Sequence, residues 1–247
     1  MLLSQKKVKS LVGITVIDAE KLVLDKSLAA IGKILNSTDE EFASRAFILD
    51  RVCEMGLGYN DWPLFAPWLN CRNPIEFGLQ QIPSEFTDFC MAISKLGIET
   101  AVEVGVYHGA SSYFIAAMLT RANRKLTYTM IDIADQLFHF EAFAKILPLR
   151  KAIPNTSLDF YGQSFDFVFI DGDHSFDGIN RDWLNLGRFT NKAVAFHDIN
   201  AHEFDHLAGG TVRFWKEFKT ANARQMAIVE FAHSPEPWMG LGLAIKG

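Results

Sequence analysis

Seven short apolar runs, most of them separated by segments with helical spacing, predict a doubly wound, mostly parallel α/β sheet for the larger part of this sequence. Four of the runs end in glycine or in charged residues: Glu103-Val104-Gly105, Asp132, Asp171 to His174, and His197-Asp198. In open α/β sheets ligands bind beyond the carboxyl ends of the strands, so these four ends define one expected ligand edge. The last two runs, QMAIVEF and LGLAIKG, are joined by SPEPWMG and predict a C-terminal hairpin that adds an antiparallel edge.

Taken in order, residues 1–75 precede the α/β pattern. SLAAIGKIL and EEFASRAFILDRVCEM carry helical spacing of apolar residues, with STDEE as cap of the second helix. GLGYNDWPLFAPWLNCRNP breaks that spacing with glycine, proline and tryptophan. Residues 1–75 are therefore read as a helical extension with an aromatic-rich connector, and 76–247 as the main domain. SEFTDFCMAISKLG predicts a helix with Ser84 as N-cap and Gly97 at its stop. TAVEVGV is the first strand and GASSYFIAAMLTRA the helix after it. KLTYTMIDIA is the second strand, QLFHFEAFAKIL a helix, LRKAI a weak strand and FDFVFID the fourth strand. FDGINRDWLNLGRF is a helix, KAVAFHDI a strand and TVRFWKEFKTA a helix before the hairpin.

Composition narrows the function. The 247 residues carry a formal charge of −5, with no Lys/Arg cluster interleaved with aromatics, which argues against nucleic acid as a partner. Cys53, Cys71 and Cys90 form no CxxC pair and read as free thiols of a reducing compartment. The basic N-terminus lacks a long apolar core, and no run is long enough to span a membrane, so a cytoplasmic protein is expected.

The turn VEVGVYHGASS places Gly105 and Gly109 between a strand and a helix, where backbone can approach a ligand closely. A dinucleotide site wants G-x-G-x-x-G; here the middle glycine is missing and Glu103 stands in the strand tip, where it would repel a pyrophosphate. A cofactor with a sulfonium and an ammonium group suits that acid better. Asp132, ending the next strand, is placed to accept both ribose hydroxyls of an adenosine. The residue order favours S-adenosylmethionine over NAD, although an NAD-dependent oxidoreductase or epimerase and a catalytically silent binding protein are the alternatives.

VEVGVYHGASS, TMIDIAD, FDFVFIDGDHSFDGINRDW, AVAFHDI, GTVRFWKEF and GLGLAIKG together resemble class I S-adenosylmethionine-dependent methyltransferases, on a Rossmann-like sheet of seven strands. More narrowly they are similar to the branch with an IDGDHSY-type motif, related to metal-dependent O-methyltransferases and to cephalosporin-hydroxylase-like and macrolide-sugar methyltransferases. The resemblance covers residues 83–247. It implies cofactor contacts at Glu103, Gly105, Tyr107, Gly109, Ser111, Asp132 and Asp171. It implies a divalent metal, magnesium or manganese, on Asp171, His197 and Asp198, where His197 departs from the acidic pair of the relatives and leaves room for manganese or for no metal. It implies His174 as the base, with Asp171 beside it in the chemistry. Asp173 and Asp177 read as turn and helix-start residues. His202, Glu203, Asp205 and His206 match no ligand spacing and read as a solvated loop. No acid follows the third strand to recognise adenine, since Pro154 to Ser157 offers none. The expected reaction is O-methylation of a hydroxyl on a small molecule or sugar, with Trp62, Phe65 and Trp68 available to stack on the acceptor. A homo-oligomer is compatible with the sequence.

Overall fold

The computed structural model describes residues 16–58, 62–201, 206, 209–233 and 238–247. The basic N-terminus, His202, Glu203 and Asp205 of the loop, and the middle of the hairpin link lie outside the described residues. Among the described residues no helix is long and apolar enough to cross a membrane.

The strands are β1 (Thr100–Val104), β2 (Thr127–Ile131), β3 (Leu149–Ala152), β4 (Phe167–Ile170), β5 (Ala193–Ala201), β6 (Met226–Phe231) and β7 (Met239–Lys246). They form one sheet in the order β3-β2-β1-β4-β5-β7-β6. The pairs from β3 through β5 are parallel, and β7 runs antiparallel to both β5 and β6. The hairpin is therefore present, but its antiparallel strand is inserted inside the sheet, and β6 takes the edge. The small apolar sequence of β7 suits this: six of its eight residues are buried, as a strand covered on both faces requires.

The period-two alternation of the strands splits the core in two. Ala101, Tyr128, Met130, Phe167 and Phe169 face a core shared with α4 (Pro83–Ile93) and α5 (Ala110–Ala122). That core also takes Val23, Ile31 and Ile34 of α1 (Val16–Leu35) and Ile48 and Val52 of α3 (Arg45–Met55). Val102, Val104, Val168, Ile170 and Phe196 face the other way. There they meet Ile179 of α7 (Phe176–Asn185) and Phe214, Trp215 and Phe218 of α8 (Gly210–Asn222).

Three helix expectations change. The second helix of the extension is two. α2 (Asp39–Ala43) starts at a Thr38–Glu41 capping box, then Ser44 leaves helical geometry and caps α3 through the Phe47 N–H. A serine inside a helical run competes for backbone donors in this way. Ser84 is not the N-cap of α4, because Pro83 occupies the first helical position after Ile82, where its missing N–H costs nothing. The helix expected over 136–147 shrinks to α6 (Phe140–Ala144). Ahead of it, His139 is left-handed, the Phe138 N–H donates to the His108 carbonyl, and the Phe138 ring stacks on Phe77 at 4.2 Å.

Candidate active site

Gly105 leaves β1 at φ 86°, with its N–H donating to the Ile131 carbonyl at 2.9 Å. A Cβ there would lie 2.2 Å from the Asp171 carbonyl oxygen, so only glycine allows β1 and the end of β4 to approach this closely. Gly109, also at φ 86°, begins α5. Where a dinucleotide motif would have its middle glycine stands Tyr107, which takes φ 45° instead. Asp132 stabilises that costly geometry: its Oδ2 accepts from the N–H groups of both Val106 and Tyr107 at 3.0 Å. Its Oδ1 accepts from the Ala134 N–H at 3.1 Å. The residue read as a ribose acceptor thus braces the turn, and keeps part of Oδ1 for another donor. Tyr107 and His108 stack on each other at 3.7 Å, and the His108 ring meets the Glu76 carbonyl, so the segment that follows the connector packs against this turn.

Glu103 does not line the cavity. It follows Val102 on β1 and so points to the opposite face, where it is fully buried between α4 and α5. Tyr128 donates to its Oε2 at 2.7 Å and Ser111 to its Oε1 at 3.1 Å. Burial pushes its carboxyl up to about 7, against the pull of these hydroxyls. Ser111, expected at the cofactor, lines the cavity and donates its hydroxyl to Glu103.

The second half of the edge is a cluster. Asp171 follows β4, and its N–H continues the ladder to Val104. His174 comes from the turn before α7, with Nε2 at 3.0 Å from Asp198 Oδ2 and 3.5 Å from Asp171 Oδ1. His197 Nδ1 lies 3.1 Å from Asp171 Oδ1 and 3.4 Å from Asp198 Oδ1. Neighbours on a regular strand point to opposite faces, so His197 and Asp198 should not meet one ligand together. A register shift of β5 against β7 after His197, with Asp198 at φ 57°, turns both to the same side. Burial opposes charge on all four groups, but mutual attraction wins. The two imidazoles hold Asp171 below and Asp198 well below the usual carboxylate range. The carboxylates lift His174 to about 9 and His197 well above its ordinary value.

The four groups can present one ligand atom each, all within 4.8 Å of one another. His174 thus stands within reach of the expected donors Asp171, His197 and Asp198. Two carboxylate oxygens with an imidazole nitrogen fit an imidazole-tolerant divalent ion such as Mn²⁺. The other acids of the motif are local: Asp173 accepts from the Ser175 N–H, and Asp177 lies in the first turn of α7, which Ser175 caps.

The glycine turn and this cluster line a single cavity of about 1010 Å³. Of the three aromatics expected at the acceptor, Trp62 reaches the cavity, pairing with Trp238 at 4.7 Å; Phe65 is buried in the core and Trp68 packs against it. Other lining groups had no signal of their own in the sequence. Asn155, Thr156 and Ser157 line the end beyond β3, and Asp182 of α7 backs them, accepting from Ser157 at 2.5 Å. A carboxylate therefore stands at this end of the cavity, carried by a helix and not by the segment after the third strand. Helical spacing marks Asp182 only as the neighbour of Ile179 and Trp183, and nothing local links it to β3. Gln81, just ahead of α4, reaches Asp171.

Residues 102–199 match the methyltransferase-domain family. No curated protein sequence matches the chain. Cofactor-bound Rv0187 from MTB is similar in structure, at 16% identity and TM-score 0.50, over 88% of this chain and 94% of that one. An O-methyltransferase from Bacillus cereus in complex with SAH is 13% identical at TM-score 0.47, over 93% of this chain and 100% of that one. SAH-bound methyltransferase PaMTH1 from Podospora anserina is 14% identical at TM-score 0.47, over 85% of this chain and 97% of that one. Residues 102–199, which hold the glycine turn and the whole acid–imidazole cluster, are a methyltransferase domain, built on the fold of the class I S-adenosylmethionine-dependent methyltransferases.

Proposed function

We propose that the protein methylates a hydroxyl on a small molecule or sugar, using S-adenosylmethionine with a divalent ion held by Asp171, His197 and Asp198. The observation that carries this is one cavity shared by the glycine turn and the acid–imidazole cluster. When bound, the cofactor supplies an electrophilic methyl group and the ion polarises the acceptor hydroxyl.

The chain's own residues divide the remaining work. Gly105 and Gly109 open the turn for close backbone approach, and Asp132 holds the turn while offering Oδ1 to a ribose hydroxyl. Ile133, a 76% exposed apolar side chain at the β2 tip, together with Asn155 and Thr156, flanks the adenine end. His174 directs Nε2 at Asp198, so a neutral imidazole keeps its proton there and its basic atom is Nδ1. Nδ1 then takes the acceptor's proton, a use distinct from that of His197, which joins the ion. At neutral pH the carboxylates keep a proton on His174 when no cation is present, so the base depends on the cation to set it free. Trp62 and Trp238 form an apolar wall for the acceptor.

Calorimetry with S-adenosylmethionine, S-adenosylhomocysteine and NAD, with and without Mn²⁺, tests the reading. Binding of the first two without NAD is the expected result, and binding of NAD alone would sink it. His174→Gln should keep cofactor and Mn²⁺ affinity yet lose about 100-fold or more in kcat once an acceptor is found by screening. An unchanged rate would remove His174 from the chemistry.

A further inference from the structure

We propose that Gln81 binds the amino-acid end of S-adenosylmethionine, its side-chain oxygen accepting from the cofactor's ammonium group, an inference that rests on the reading above. Gln81 lies outside the matched residues, ahead of α4, and lines the cavity while only 3% exposed. Its Nε2 donates to Asp171 Oδ2 at 3.3 Å. That orientation is dictated by chemistry, because an amide oxygen facing a carboxylate would repel it. Oε1 is therefore turned away from the carboxylate, and it has no hydrogen-bond partner among the described residues. A buried amide oxygen of this kind needs a donor.

Asp171 indicates which donor. It divides its two oxygens: Oδ1 faces His197 and His174, whereas Oδ2 faces Gln81. The ion site lies on the Oδ1 side. On the Oδ2 side stand a carboxylate oxygen and an orphaned amide oxygen, beside the turn that begins at Gly105. Two acceptors of that kind suit one cationic donor with several N–H groups, and an ammonium supplies three. Trp62 and Trp238 offer nothing of that sign, and the two imidazoles already direct N–H groups at the carboxylates.

The test compares S-adenosylhomocysteine, which keeps the ammonium, with 5′-methylthioadenosine, which keeps adenine, ribose and thioether but lacks the amino-acid end. Calorimetry on Gln81→Ala should show S-adenosylhomocysteine affinity falling about 10–100-fold while methylthioadenosine stays within about twofold. Gln81→Met retains the volume and keeps the question answerable if the alanine variant fails to fold. Equal loss for both ligands, or loss for neither, would overturn the proposal. So would a fall in Mn²⁺ affinity with S-adenosylhomocysteine unchanged, since Gln81 would then serve the ion. Failure of the wild-type chain to bind S-adenosylhomocysteine would strike the methyltransferase reading itself, independently of Gln81.

Discussion

The two halves of the ligand edge satisfy their carboxylates by opposite means. At the β2 end, Asp132 is held by three backbone N–H groups, donors that never titrate. At the β4 and β5 ends, Asp171 and Asp198 are held by two imidazoles, donors that can lose their protons. The first half does not depend on the protonation of its donors. The second is stable only while it keeps its protons or exchanges them for another cation. A rigid turn beside a charge-exchangeable cluster is what the proposed metal-assisted transfer would need.

The largest effect should come from Gly105→Ala, which strikes the seam between the halves. Gly105 bonds to β2 through its N–H and touches Asp171 through its Cα face, and an added Cβ would meet backbone. Strain at positive φ adds to the clash, so a loss of about 3 kcal/mol or more is expected in chemical denaturation, or no folded protein at all. A variant of wild-type stability would mean that the halves are not coupled through this contact.

Next comes the contrast itself, read by Asp171→Asn against Asp132→Asn. Removing the Asp171 charge leaves two protonated imidazoles with one carboxylate, which should cost about 3 kcal/mol at pH 6. The amide introduced by Asp132→Asn could still accept twice through its carbonyl and would lose only the Ala134 bond, about 1 kcal/mol. The pH dependence separates them further. A histidine raised in the folded state stabilises fully below its unfolded value of 6.5, and that stabilisation is lost as pH rises through about 9. The Asp171→Asn cost should therefore shrink by pH 9.5, while the Asp132→Asn cost stays constant. Parallel pH profiles for the two would remove the distinction between fixed and exchangeable donors.

These residues also mark what the sequence could reveal. The strands were legible because buried parallel strands are written as continuous apolar runs, and FDFVFI or AVAF admits little else. The placing of Asp132, Asp171 and Asp198 on one edge followed from topology alone. Which way each side chain turns was another matter. Alternation along β1 could have warned that Glu103 opposes Val102 and Val104, but its acid type suggested a ligand contact instead. The bulge that brings His197 and Asp198 together depends on pairing with β7, distant in sequence. Asp182 and Gln81 reach the cavity through tertiary packing, so no local pattern pointed to them. Ser44 and Pro83 were readable from cap chemistry: a serine inside a helical run and a proline directly ahead of Ser84 each mark a helix start.

A smaller effect sharpens the exchangeable half. If Asp171, His197 and Asp198 take an ion, His197 must give up its proton to bind through nitrogen. Calorimetry of Mn²⁺ binding at pH 7, in two buffers of different ionisation enthalpy, should register release of about one proton or more per ion. Binding without proton release would mean that the imidazoles were already neutral, contrary to their pairing with the carboxylates.

Glu103 supplies the smallest and most instructive test, because it is a third kind of acid, held by hydroxyls of Tyr128 and Ser111. Hydroxyls donate without charge, so burial prevails and the carboxyl rises from 4.5 to about 7. The folded chain then keeps a proton that the unfolded chain has released, and wild-type stability falls as pH climbs through that window. Glu103→Gln does not titrate, and its amide can exchange hydrogen bonds with hydroxyls that rotate to suit it. The variant should match wild type near pH 4.5 and exceed it near pH 8 in chemical denaturation. A pH-independent difference would show that the hydroxyls hold the charge as firmly as the backbone holds Asp132, and donor type would then cease to explain why the two ends of the edge differ.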